Sequence, residues 1–361
     1  MPTRRGFVAG LMAASLLPRP GWAEAGAPDY LATARMADGS YGLCGLTVSG
    51  AEVFRLPLPG RGHAAAAHPD RPEAVAFARR PGTFAVVIDC RTGQVGARLE
   101  AGEGRHFYGH GVFSRDGGLL FAAENDFGAG RGVIGVREVA RGYAKIGELS
   151  SGGVGPHEIT RLPGTDVLVV ANGGIDTHPD AGRLDLEIPL MRPNLSYVGA
   201  DGALLDQVEL TAELRRNSIR HLSVRADGLV AFAMQWHGDA GEVPALLGLH
   251  RMGQSVALLR ADDPVQAAMQ GYAGSVAFSA DGRLVGISSP PGGQVQVFDA
   301  ETGGYHGRLA AADVCGLGAG PEGFVVTSGT GETIGFDGAQ EVWRQAHERN
   351  WDNHLVRISA T

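Results

Sequence analysis

The sequence predicts an all-β protein, a seven-bladed β-propeller, and three observations carry that prediction. Glycine is abundant, 56 of 361 residues, without the period of collagen, which indicates many tight turns between short strands. Short apolar runs recur between Asp-Gly or Gly-rich turns at a spacing of roughly 40–60 residues, the period of a propeller blade. Helical periodicity is nearly absent.

The blades follow one another in a regular order. Their inner strands begin near "RGHAAAAHPD", "YGHGVFSRDG", "GPHEITRLPG", "IRHLSVRADG", "AGSVAFSADG", "VCGLGAGPEG" and "DNHLVRIS". Each of the first six is followed by a second apolar run: "AVAFA", "LLFAAEN", "VLVVAN", "LVAFAMQW", "RLVGISS" and "FVVTSG". Third strands are visible in "TFAVVIDCRTGQV", "GVIGVREV" and "QVQVFDAETG". The seventh blade is expected to be split, with a C-terminal inner strand (353–359) and outer strands from residues 30–56. Such closure removes two open sheet edges. Residues 172–197, "NGGIDTHPDAGRLDLEIPLMRPNLSY", form the one long departure from short loops and are expected to be a lid over the mouth.

The first 25 residues read as a twin-arginine signal: Arg4 and Arg5, a short apolar run, and an A-x-A end at Ala23 and Ala25. The apolar run Phe7–Leu17 is about half the ~20 residues that span a bilayer. No stable membrane span is therefore expected, and residues 26–361 are expected to fold as one periplasmic domain. A net charge of −8 excludes a nucleic-acid footprint. Cys44, Cys90 and Cys315 have no C-x-x-C spacing, so they read as buried small hydrophobes rather than zinc or haem ligands. There is no P-loop, no G-x-S-x-G, no H-E-x-x-H and no dinucleotide fingerprint.

Indexing every blade on its turn exposes a histidine register. His63, His110, His157, His221 and His354 each lie six residues before the same turn position (Pro69, Asp116, Pro163, Asp227, Ala360), while blades 5 and 6 carry Ser275 and Gly316 there. Inner strands surround the propeller axis, so equivalent positions form a ring. Neutral imidazole is the commonest metal ligand and suits iron and copper. The competing explanation is five independent structural histidines. The Trp-Asp partners of WD40 blades are missing, and recurrence at one symmetry-related address favours a shared axial site.

The second strands end on the same face. Glu124 and Asp126 are candidate oxygen ligands or acceptors that orient imidazoles. Arg35 and Arg79, with Asn172 and Gln235, are candidates for binding an anion or a metal chelate. His178 in the expected lid is a further candidate ligand. His106 and His347 lie in the approaches to inner strands.

The stretches "HFYGHGVFSRDGGLLFAAENDF", "GPHEI", "VVANGGIDTHPDAGR", "NSIRHLSV" and "AMQWHGD" resemble the DUF1513 family of exported seven-bladed propellers. Its motif histidines fall on His110, His157, His178 and His221, and its acidic patch on Glu124 and Asp126. The resemblance implies an envelope role beside periplasmic iron-uptake components such as imelysin-like proteins. It does not imply a settled activity. Three functions stay open: a metal-binding protein for iron or copper, a metal-dependent redox enzyme using the same site, and a docking scaffold with structural histidines.

Overall fold

The computed structural model describes residues 21–79, 83–175 and 191–358. Seven four-stranded antiparallel sheets make a seven-bladed β-propeller. The inner strands are Gly62–Ala67, Arg105–Phe113, Pro156–Arg161, Asn217–Val224, Ser275–Phe278, Val314–Gly320 and Arg349–Arg357, in blades 1 to 7. In blade 7, Arg349–Arg357 pairs with Tyr30–Met36, followed outward by Tyr41–Leu46 and Glu52–Leu58. Among the described residues, α-helix is limited to the five-residue segment Asp263–Ala267, and no helix is long and apolar enough to cross a membrane.

The core is a ring of apolar clusters wedged between neighbouring blades rather than one central mass. Phe77 of blade 1 packs with Phe107 and Phe113 of blade 2. Tyr197 of blade 3 packs with Phe232 of blade 4, and Phe278 of blade 5 with Leu247 of blade 4. Strand composition follows position. Inner strands such as Gly62–Ala67 (GHAAAA) are small and buried because they crowd at the axis. Outer strands such as Glu341–Ala346 (EVWRQA) are mostly exposed and polar.

Both ends of the segment expected to be a lid lie in strands of blade 3. Asn172 ends the second strand of blade 3, and Asn194–Val198 is the third strand, paired with Leu168–Asn172. Residues 176–190, including His178, lie outside the described residues, as do residues 1–20 of the segment expected to be a signal. The last residues of that expected signal do have a place in the fold. Trp22–Ala25 form a short 3₁₀ turn, Ala25 is buried, and Trp22 Nε1 donates to the His68 carbonyl at 2.9 Å.

Candidate metal centre

One local irregularity positions the site. In six blades the ladder between the inner and second strands is broken by a β-bulge, between Gly62 and Ala65, Phe107 and Gly111, Pro156 and Glu158, Ile219 and His221, Val314 and Leu317, and Trp351 and Leu355. A bulge sets extra residues opposite a single partner, so side chains that would alternate faces turn the same way. All five register histidines sit in or at the edge of one of these bulges. Blade 2 needs glycine for it: Gly109 has φ 101°, and a Cβ there would overlap the His63 ring.

The two blades without histidine have local reasons. Blade 5 runs through Ser275 with a regular ladder and no bulge. In blade 6 a side chain at Gly316 would meet the His354 carbonyl carbon at 3.2 Å.

The five rings converge. His110 lies within 5.8 Å, centroid to centroid, of each of the other four. Around it His63–His354 and His221–His354 are 4.6 Å apart and His157–His221 4.7 Å. Two triads, His63–His110–His157 and His110–His221–His354, each bring three ring nitrogens within 4.8 Å of one another, and His110 belongs to both. An ion at about 2.1 Å from three imidazole nitrogens holds them about 3.4 Å apart in a tetrahedral site, so small side-chain rotations close either triad.

Burial sets the charge state of the cluster. His63, His110, His221 and His354 are 7% exposed or less. Desolvation pushes His110 down to about 4 and, with help from the Arg220 and Arg79 guanidiniums, His221 down to about 3. Burial and the neighbouring imidazoles hold His157 and His354 well below the ordinary histidine range. His110, His157, His221 and His354 are therefore neutral at pH 7, with lone pairs to offer. Three buried ring nitrogens, His110 Nε2, His157 Nδ1 and His354 Nε2, have no hydrogen-bond partner. Buried polar atoms are seldom left so. Three in one cluster fit a transition metal ion, whose imidazole ligands need an unoccupied lone pair.

A carboxylate absent from the sequence expectation completes the centre. Glu158 Oε2 is 3.0 Å from His221 Nδ1 and accepts the Leu222 N–H at 3.3 Å, while Oε1 is 3.9 Å from His110 Nδ1. Burial raises its pKa, opposed by His110 and the Leu222 N–H. A carboxylate on Nδ1 fixes the tautomer that leaves Nε2 free for a metal. On the other side, Arg79 Nη1 donates to Asp352 Oδ1 at 2.9 Å and lies 3.5 Å from His63 Nδ1. Asp352 also accepts Arg61 Nε at 2.5 Å.

The cluster separates two cavities. A wide one of about 650 Å³ opens on the Asp-Gly turn face and reaches His110, His221, His354 and Glu158. A smaller one of about 220 Å³ lies at the other end of the inner strands, against His63, His157 and His221 with Arg79, Arg220 and Gln235. His221 borders both.

A family model described as a protein of unknown function, DUF1513, matches residues 56–358. The chain belongs to the DUF1513 family. No curated relative matches it. Among solved structures it is similar to a Kuenenia stuttgartiensis hydrazine synthase chain, at 15% identity and a TM-score of 0.60, covering 84% of this chain and 92% of that one. It is also similar to BamB from Moraxella catarrhalis, at 14% identity and a TM-score of 0.56, covering 91% and 85%. At such identities the likeness shows the propeller fold alone.

Within this DUF1513 propeller, the remaining sequence candidates divide. Arg79 and Gln235 line the smaller cavity, and Gln235 Nε2 donates to the Ala273 carbonyl at 3.3 Å. Glu124 is not in the cluster. It is fully buried inside blade 2, where Lys145 Nζ at 2.7 Å and Arg137 Nη2 at 3.4 Å consume its charge. Asp126 is likewise engaged by Arg105 at 3.3 Å and Arg131 at 3.1 Å. Arg35 is exposed and borders neither cavity. Asn172 bridges blades, donating to the Ser151 carbonyl at 2.8 Å and Asn194 Oδ1 at 2.9 Å.

His106 and His347 make local bonds, to Asn125 and the Phe107 carbonyl and to Thr333 respectively. The three cysteines are free and buried, and burial pushes the Cys44 and Cys90 thiols up to about 12. Glu158 was legible only as the neighbour of His157 in "GPHEI".

Proposed function

We propose that this chain is an exported, periplasmic transition-metal-binding propeller that handles iron or copper at the axial histidine cluster. The observation that carries the reading is the convergence of five imidazoles, four of them buried and three with an unpartnered ring nitrogen. Buried ring nitrogens without partners cost stability, and a metal ion that accepts their lone pairs relieves that cost. All-imidazole triads suit copper, zinc and ferrous iron, with copper strongest on raw affinity; the resemblance to proteins of iron-uptake clusters favours iron. The twin-arginine leader supports export, and an imelysin-like protein is the partner that the same resemblance suggests.

A metal-dependent redox enzyme is the second reading. The smaller cavity favours it, because it gives a reactant access to the cluster from the side of His63 and His157. The test is elemental analysis of protein purified from the native periplasm beside a His110→Ala, His157→Ala, His221→Ala variant. Stoichiometric iron or copper in the parent and none in the variant supports the reading. Equal metal in both removes the metal-binding and enzyme readings together and leaves a docking scaffold.

A further inference from the structure

The smaller cavity has a composition that the metal cluster alone does not explain. Its described lining carries two guanidiniums, four imidazoles, two phenols and two carboxamides, and no carboxylate. Every one of those side chains can donate a hydrogen bond. The other cavity is mixed in charge, with Glu158 and Asp281 beside Arg161, Arg225 and Arg357. A small cavity rimmed by donors and fixed positive charge is the inverse of a cation site and suits an anion with several oxygens.

The bulges place these donors. At the blade 4 bulge, Arg220 and His221 oppose the single residue Ala233, so the guanidinium turns toward the axis beside the imidazole instead of away from it. At the blade 7 bulge, Asp352 faces Arg79 and Arg61 at once. One carboxylate shared between two guanidiniums orients Arg79 while leaving that pair of arginines with excess positive charge. The unpartnered Nδ1 belongs to His157, which borders the same cavity.

We infer that this cavity binds a small, multiply charged oxyanion, a carboxylate or phosphate-type ligand held by Arg79, Arg220 and Gln235 over the His63–His157 edge of the cluster. The volume of about 220 Å³ admits an ion of this size and excludes a nucleotide or peptide. The inference rests on the metal-centre reading for its purpose: the oxyanion would be the co-ligand that accompanies the metal, or the reactant that meets it. Binding of the oxyanion itself requires no metal.

The experiment titrates full-length mature protein, stripped of metal and dialysed free of chelator, with oxalate and separately with inorganic phosphate, by calorimetry. Glycerol serves as the uncharged control. Three variants accompany it: Arg220→Gln, Gln235→Leu and His110→Gln, the last of which leaves the cavity wall intact because His110 does not line it. Saturable binding of at least one anion at millimolar concentration or below, weakened about tenfold or more in Arg220→Gln and retained in His110→Gln, is expected.

Gln235→Leu, which keeps all charges, should weaken binding less, and a urea midpoint of Arg220→Gln equal to the parent's shows that its loss is not misfolding. The anion that binds more tightly distinguishes a carboxylate from a phosphate source. Absence of saturable binding by both anions to the parent overturns the inference, as does equal binding by parent and Arg220→Gln. A parent that takes up copper but no oxyanion sinks this inference alone; one that binds oxyanion but no copper sinks only the metal reading.

Discussion

Burial of the imidazoles makes a quantitative claim about acid. Consider metal affinity between pH 7 and pH 5. A histidine with an ordinary pKa of about 6.5 is only about 3% neutral at pH 5, so proton competition weakens each ligand about 30-fold and a three-histidine surface site about 10⁴-fold. Here desolvation has lowered His110 to about 4 and His221 to about 3, and His354 lies well below the ordinary range. Protons compete only as pH falls through those lowered values. At pH 5, His110 is still about 90% neutral and the triad His110–His221–His354 loses about twofold or less in affinity.

The assay is competition for zinc, which is redox-silent, against a chromophoric chelator whose own proton binding is known. It is run on the metal-stripped chain at half-unit steps from pH 7 to 5. A nearly flat affinity is expected. A decline of 10³-fold or more refutes the argument, because it means that the rings titrate as solvated groups and the cluster is open to water.

The same shifts act on the fold. Unfolded histidines take up protons below about 6.5 and the buried ones do not, so stability of the metal-free chain is full above that pH and falls as pH drops toward 4. The loss at pH 5 is about 2 kcal/mol for each of His110 and His221, and His157 and His354 add to it in the same direction, against the about 5–15 kcal/mol that holds a domain together. Urea midpoints that do not move between pH 7 and 5 would contradict it.

His110 is shared by both triads. His110→Gln should therefore abolish stoichiometric metal, whereas His63→Gln and His354→Gln each leave one triad and retain it by elemental analysis. Glu124→Gln should cost about 3 kcal/mol in urea unfolding, because it removes the only carboxylate on buried Arg137 among the described residues, and should leave metal content unchanged.

How much of this was legible follows from what repeats. The five histidines were found because a closed ring turns equal offsets from a turn into equal places around an axis, and that inference needs no knowledge of side-chain direction. Glu158 was missed because strand alternation puts the neighbour of an inward residue on the opposite face. The blade 3 bulge cancels that parity, and no residue type in "GPHEI" announces a bulge.

Glu124 and Asp126 were over-read for the opposite reason. Their position at a strand end suggested the mouth, but their partners Arg105, Arg131, Arg137 and Lys145 come from neighbouring strands of the same blade, and such pairing depends on register. Arg35 and Arg79 looked equivalent in sequence. Only Arg79 has an acidic neighbour, Asp352, that draws it toward the axis.

The hub of this disc is stopped by its own side chains, and the stopper belongs to both compartments because His221 borders each. A solute arriving from the turn face reaches Glu158 beside the imidazoles, and one arriving from the opposite face reaches Arg79 and Arg220 there. Two species that enter from opposite faces would therefore meet only at the imidazoles.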